Sequence, residues 1–246
     1  MMQKIAEKRI AGIPCYEITG AQAPLAEIIL YHGWGSNAEK QRFRGQLLAG
    51  FGYRVVVSEI PGHGARGTLD YDGPQAPLDF MRVLRESIDE CVQLADAVFT
   101  PGEAHFLVGH SLGGMIALGA ATPLAPCLDG VAALNSTANW KEEQAMLRGV
   151  FCDDGTAVKA LSSEAAAQCC EGLDAFDPAH WQARAMNVPV LLTNGSLDRT
   201  LPASLNTAFL ATWDLPNVRQ VIIEDAGHVV TDSALREVVA FIEAHR

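Results

Sequence analysis

Several features that define large classes of proteins are absent from this 246-residue sequence. No stretch approaches the roughly 18–20 uninterrupted apolar residues that a transmembrane helix requires, so we predict no membrane span. Residues 1–8 carry charges where a signal peptide would need an apolar run, which favours a cytoplasmic protein. The six cysteines form no CxxC pair, so neither a zinc site nor a thioredoxin-like redox site is indicated.

Basic residues are scarce: 18 Lys and Arg stand against 29 Asp and Glu, and the formal net charge is -11. Such a charge repels phosphate backbones, so nucleic acid is not an expected partner. No GxGxxG opens a helix after the first strand, and GxxxxGK[ST] does not occur, so dinucleotide or ATP binding has no support. We expect no cofactor. The sequence leaves the oligomeric state open.

What the sequence does contain is a regular alternation of apolar, β-branched runs with helical stretches. Near-continuous apolar strands that alternate with helices indicate an α/β fold with a mostly parallel sheet covered on both faces. Residues 9–19 resemble an antiparallel hairpin at one edge of that sheet. The predicted strands are 27–31, 53–58, 104–108, 130–134, 188–193 and 218–224, and the predicted helices are 42–51, 78–99, 112–121 and 233–245.

Residues 139–187 interrupt the alternation. They lie between two predicted strands, so we interpret them as a small helical lid within a single domain that spans residues 1–246. Trp140, Phe151 and Trp181 in this segment are candidate walls of an apolar acyl pocket. The alternative is that these aromatic side chains only attach the lid helices to the body.

The segment Gly109–Gly113 reads GHSLG, follows a predicted strand and opens a predicted helix. This is the context in which G-x-S-x-G places a serine on a strained, tight turn above the carboxyl edge of a sheet. Glycines on both sides leave room for the strand and the helix to cross. Ser111 is therefore the candidate nucleophile, and the N–H of Leu112 is a candidate donor to an oxyanion.

A second glycine-rich turn, HGWG at residues 32–35, follows the earlier strand. The other oxyanion donor should arise here, and the N–H of Trp34 is the candidate. Its indole is also a candidate wall of the acyl pocket. The alternative is an ordinary tight turn with Trp34 as a packing residue.

Two further polar residues follow late strands. Asp198 and His228 both lie beyond the carboxyl ends of predicted strands, the edge at which Ser111 is exposed and at which parallel sheets build their sites. Histidine can take the serine proton, and a carboxylate holds the imidazole in the tautomer that accepts it. The order serine, acid, histidine agrees with this architecture. We therefore predict a catalytic triad.

Together with YHGW at 31–34 and PGHG at 61–64, these motifs resemble the α/β-hydrolase family over nearly the whole chain. The resemblance implies a sheet of about eight strands with helices on both faces and cleavage of esters, thioesters or amides. The turn at 62–67 is also similar to small bacterial esterases near the dienelactone-hydrolase and prolyl-oligopeptidase-like branch. His32, His63 and His110 each sit inside such a turn, so a metal cluster is not expected.

The resulting prediction is a serine hydrolase that cleaves carboxylic esters of small molecules through an acyl-enzyme. A thioesterase, an acyltransferase or a small peptidase would use the same triad and stays open. A binding module with an idle triad is the alternative from a different class.

Overall fold

A computed structural model describes residues 3–141, 173–184 and 186–246 of the chain. The strands in these residues form one eight-stranded sheet with the order β1-β2-β4-β3-β5-β6-β7-β8. The strands are β1 Lys4–Ile10, β2 Ile13–Thr19, β3 Glu27–Tyr31, β4 Arg54–Ser58, β5 His105–His110, β6 Gly130–Leu134, β7 Val190–Gly195 and β8 Val218–Ile223.

Strand directions place six carboxyl ends at the same edge of the sheet. β1 pairs antiparallel with β2, and β2 pairs antiparallel with β4. Every other pairing, from β4 through β3, β5, β6 and β7 to β8, is parallel. The predicted α/β fold, with a mostly parallel sheet and an antiparallel hairpin at its edge, is confirmed.

Helices cover both faces of the sheet, and this explains why its central strands are apolar throughout. Successive side chains of a strand point to opposite faces. Ile29 packs in one core cluster with residues of α2 and α3, whereas its neighbours Ile28 and Leu30 pack in a second cluster with residues of α1 and α5. The helices are α1 Ala38–Ala49, α2 Ala76–Val98, α3 Leu112–Leu124, α4 Ala203–Thr212 and α5 Asp232–His245.

Besides shifts of one or two residues at other helix ends, the helices differ from the prediction in three respects. α1 begins at Ala38 because the side chain of Asn37 caps it, accepting a hydrogen bond of 2.8 Å from the N–H of Lys40. α3 continues past the predicted end to Leu124, with Pro123 in its last turn; since proline cannot donate the next helical hydrogen bond, only one residue follows it in the helix. α4 was not predicted. It follows Pro202 and buries Leu205 and Phe209.

Much of the predicted lid, including Phe151, lies outside the described residues. The described part of that range contains a short 3₁₀ helix, Pro178–His180. The lid and the single-domain organisation therefore stay predictions. None of the helices in the described ranges is both long and apolar enough to cross a membrane.

Candidate active site

Ser111 lies on a strained turn between β5 and α3. Its φ of 54° and ψ of -120° are conformations that residues other than glycine rarely adopt. A Cβ at Gly109 would lie 2.0 Å from the carbonyl oxygen of Gly113, and a Cβ at Gly113 would lie 2.5 Å from the carbonyl oxygen of His32. Because backbone atoms occupy both places, the turn requires glycine two residues before and two residues after the serine.

Three side chains from separate loops meet above this turn. The Oγ of Ser111 lies 3.0 Å from the Nε2 of His228, whose Nδ1 lies 2.7 Å from the Oδ2 of Asp198. Asp198 follows β7 and its side chain is fully buried, whereas 24% of the His228 side chain is exposed. The structure thus brings the three residues of the predicted triad into one hydrogen-bonded line at the carboxyl edge of the sheet.

The hydrogen bonds of Asp198 indicate which ring nitrogen of His228 carries a proton. Its Oδ1 accepts hydrogen bonds from the N–H groups of Thr200 and Leu201, at 2.9 and 3.0 Å. Its Oδ2 faces the Nδ1 of His228, so this nitrogen carries the proton. The Nε2 of His228 is then a free base, placed to accept the hydroxyl proton of Ser111.

Two backbone N–H groups beside Ser111 could bind an oxyanion. Leu112 is the first residue of α3, so its N–H has no acceptor within the helix. Trp34 follows Gly33, where an added Cβ would lie 3.1 Å from the Cβ of Ser111. In the described parts of the chain, neither the N–H of Leu112 nor that of Trp34 donates to a protein acceptor. Their role as oxyanion donors stays a prediction.

The buried imidazole of His63 holds the turn that carries Trp34. Its Nδ1 lies 2.9 Å from the carbonyl oxygen of Pro61, and its Nε2 accepts a hydrogen bond of 3.1 Å from the N–H of Gly35. Nδ1 therefore carries the proton and the ring is neutral. Burial lowers the pKa of His63 to about 4, which keeps the ring neutral over the physiological range. The bond to Pro61 lies within the turn of His63 itself, whereas the bond to Gly35 joins this turn to the one after β3.

A buried carboxylate links the turns after β3 and β4. The Oε1 of Glu59 accepts from the N–H of Ala38 at 3.1 Å and lies 2.9 Å from the Nε2 of His32. Its Oε2 accepts from the N–H of Ala65 at 3.3 Å, and a Cβ at Gly64 would overlap this oxygen. His32 thus has a structural partner. No group of three or more His, Cys, Asp or Glu side chains in the described ranges is arranged to hold a metal ion.

His110, the residue before Ser111, packs against the proposed base. The ring centroids of His110 and His228 are 5.0 Å apart. The Nε2 of His110 is buried and has no hydrogen-bond partner among the described residues. Burial lowers the pKa of His110 to about 3, so the ring stays neutral and adds no positive charge beside His228.

The aromatic residues proposed as pocket walls occupy different environments. Trp34 is held edge-on against His63, Tyr71 and Phe80, and its indole N–H donates to the carbonyl oxygen of Tyr71 at 3.1 Å. By contrast, Trp140 and Trp181 are almost completely buried in the core cluster of α2 and α3. These contacts fit the alternative of a packing role, and a pocket role for either tryptophan stays a prediction.

The pKa of His63 predicts a loss of stability in acid. An unfolded chain takes up this proton near the ordinary value of 6.5, whereas the folded protein takes it up only near pH 4. Between these values the unfolded state binds more protons, so stability decreases as pH falls. As the pH falls from 7 to 4, we expect the titration of His63 to lower the free energy of unfolding by roughly 3 kcal/mol. Urea denaturation across this pH range measures the change.

His63→Gln should flatten this pH dependence, because glutamine still offers an acceptor to Gly35 but takes up no proton. His110 contributes in the same direction, so part of the slope should persist. Replacing the exposed His180 with glutamine is the matched control and should leave the slope unchanged. Equal slopes for wild type and His63→Gln would contradict the prediction.

Comparison with known proteins shows a family and several relatives. The sequence model described as "Alpha/beta hydrolase family" matches residues 28–241. Esterase YjfP of Escherichia coli (strain K12) is 27% identical over 273 residues, covering 99% of this chain and 100% of that protein. Phospholipase YtpA of Bacillus subtilis (strain 168) is 30% identical over 102 residues, covering 40% of this chain and 35% of that protein.

Among solved structures, TT1662 from Thermus thermophilus has a TM-score of 0.76 at 20% identity, covering 99% of this chain and 98% of that one. This likeness agrees with the fold described above. The chain belongs to the alpha/beta hydrolase family, and the resemblance inferred from its motifs is confirmed.

Proposed function

We propose that this protein is a serine esterase, which hydrolyses carboxylic esters of small molecules through an acyl-enzyme intermediate. The observation that carries the proposal is the continuous hydrogen-bonded line from Ser111 through His228 to Asp198, with distances of 3.0 and 2.7 Å. The names of two relatives, an esterase and a phospholipase, support ester hydrolysis as the reaction.

The geometry suits each step of acyl transfer. The Oγ of Ser111 attacks the ester carbonyl while its proton passes to the Nε2 of His228. The resulting oxyanion accepts hydrogen bonds from the N–H groups of Trp34 and Leu112. His228 then returns the proton to the departing alcohol, which leaves the acyl group on Ser111. Water attacks this acyl-enzyme with His228 again as base, and His228 then returns the proton to the Oγ of Ser111 as the bond to the acyl group breaks and the acid is released.

The surroundings of the proposed triad favour uncharged substrates. Leu197 precedes Asp198 and is 62% exposed, and Val229 follows His228 and is 58% exposed. These apolar side chains make the rim next to the two loops suitable for an alkyl group. The net charge of -11 disfavours anionic substrates. We therefore expect neutral esters to be better substrates than acidic ones.

A fluorophosphonate probe together with a series of p-nitrophenyl esters from acetate to palmitate tests the proposal. We expect stoichiometric labelling, located by mass spectrometry on Ser111, and turnover that depends on acyl length because the acyl group contacts an apolar rim. Ser204→Ala, on the exposed surface of α4, is the control and should be labelled like wild type.

Absence of both labelling and turnover would contradict the proposal and favour a binding module. Labelling of a different serine would contradict the role of Ser111. Faster cleavage of thioesters than of matched oxygen esters would retain the triad and change the substrate class.

A further inference from the structure

The end of β6 contacts the serine turn through two hydrogen bonds. The carbonyl oxygen of Leu134, the last residue of β6, accepts from the N–H of Ser111 at 2.9 Å. Two residues later, the hydroxyl of Ser136 donates to the carbonyl oxygen of Ser111 at 2.8 Å. Both the N–H and the C=O of Ser111, the proposed nucleophile, are therefore hydrogen-bonded to residues at this strand end.

Asn135, between these two residues, contacts the loops that carry the other two members of the proposed triad. Its Oδ1 accepts from the N–H of Gly195, at the end of β7, at 3.0 Å. Its Nδ2 donates to the carbonyl oxygen of Val229 at 2.7 Å and approaches that of Gly227 at 3.4 Å. One carboxamide thus joins the strand before Asp198 to the residues on either side of His228.

The backbone of Asn135 is adapted to this position. Its φ is 44°, in the left-handed region that asparagine tolerates better than most residues other than glycine. Its N–H still donates to the carbonyl oxygen of Thr193 at 2.7 Å, which extends the pairing of β6 with β7. Asn135 is only 2% exposed, so its hydrogen bonds are protected from water and are costly to break.

The loops after β7 and β8 also contact each other directly. The N–H of Leu197 donates to the carbonyl oxygen of Ala226 at 2.8 Å, and a Cβ at Gly195 would lie 2.3 Å from this same oxygen. These contacts connect the loop that carries Asp198 to the loop that carries His228. The carboxamide of Asn135 connects both loops to β6, the strand whose end is hydrogen-bonded to Ser111.

We propose that Asn135 is a positioning residue, which keeps the imidazole of His228 at hydrogen-bonding distance from Ser111. This inference rests on the proposed esterase function. The side chain does not touch the reacting atoms. It acts by fixing the carbonyl groups one residue before and one residue after His228, and a displacement of about 1 Å in a catalytic group is enough to lower the rate by about 10²-fold.

Two substitutions of Asn135 distinguish a role in positioning His228 from a role in folding. Asn135→Asp keeps the shape but replaces the donor to Val229 with an oxygen, which repels that carbonyl group. Asn135→Gly removes the carboxamide while the backbone keeps its left-handed conformation without strain. For both variants we expect kcat for p-nitrophenyl acetate to fall by about 10- to 100-fold, with KM within about twofold of wild type.

NMR spectroscopy reports on the position of the His228 imidazole in the absence of substrate. In ¹⁵N-histidine-labelled protein, the Nδ1–H resonance of His228, assigned by its absence in His228→Gln, should shift or broaden in both Asn135 variants. The matched control is Asn217→Asp. The Nδ2 of Asn217 donates to the carbonyl oxygen of Val188 at 2.6 Å, before β7 and β8 begin and at the opposite edge of the sheet. This control should lose thermal stability while kcat and the His228 resonance stay at wild-type values.

Wild-type kcat in a folded Asn135→Gly protein would overturn the inference. An equal loss of kcat in Asn217→Asp would do the same, because the effect would then be one of general stability. Failure of both Asn135 variants to fold would assign the side chain to the sheet and not to positioning. Failure of the esterase proposal would be seen in a different measurement: Ser111→Ala would hydrolyse the ester as fast as wild type. The Nδ1–H resonance of His228 would still show whether Asn135 positions the imidazole.

Discussion

Ser111→Ala should lower kcat for ester hydrolysis by at least about 10⁴-fold, because alanine offers no nucleophile above the strained turn. His228→Gln should have a similar effect, since the hydroxyl 3.0 Å away then has no base to take its proton. The double variant should be no slower than either single one, because both residues act in the same step. Steady-state kinetics with p-nitrophenyl acetate, corrected for spontaneous hydrolysis, measures all three.

Substitution of Asp198 should lower kcat less than substitution of Ser111 or His228. Asp198→Asn still hydrogen-bonds the imidazole but favours the wrong tautomer, so we expect a loss of about 10³- to 10⁴-fold. Circular dichroism and thermal melting of each variant check that the fold is intact. A Ser111→Ala protein that retains a tenth or more of wild-type turnover would rule out Ser111 as the nucleophile.

Gly109→Ala should prevent the serine turn from forming. The added Cβ would lie 2.0 Å from the carbonyl oxygen of Gly113 and 2.6 Å from the nitrogen of Gly114. Both are backbone atoms of the first turn of α3 and cannot rotate away, so β5 and α3 must separate. We expect a loss of more than about 3 kcal/mol in the free energy of unfolding, or no soluble protein.

Gly20→Ala is the control for this substitution. A Cβ at Gly20 meets no atom within 4 Å, and the residue has no positive φ. Its melting temperature should stay within about 2 °C of wild type. If Gly109→Ala melted like Gly20→Ala and remained active, the close crossing of strand and helix would not be the reason for glycine at residue 109.

The sheet could be predicted from the sequence because its central strands are buried on both faces. Apart from Glu27, residues 27–31 and 130–134 are apolar, and the structure has strands with these same bounds. The three triad candidates could be proposed because each follows such a run, and parallel strands bring their carboxyl ends to one edge. Helix starts were less predictable where a cap outside the apolar pattern, as at Asn37, determines the boundary.

Asn135 and the bond from Gly35 to His63 could not be predicted in the same way. Each joins segments whose distance depends on strand register and on turn geometry, neither of which leaves a periodic pattern. Asn135 had one signal in the sequence: like Asp198 and His228, it is a polar residue beyond the carboxyl end of a strand. The serine and threonine that follow it made the segment resemble an ordinary turn.

The hairpin at the start of the chain has a consequence for the solution behaviour of the protein. Within the described ranges β1 pairs with β2 alone and lies at an edge of the sheet, where its other peptide groups could accept a strand from another molecule. Its exposed positions include Lys4, Glu7 and Lys8, and Lys8 forms an ion pair with Glu17 of β2. An incoming strand would have to strip water from these charges, so the edge resists intermolecular sheet extension and the aggregation that follows from it. Neutralising these charges would therefore lower the colloidal stability of the protein.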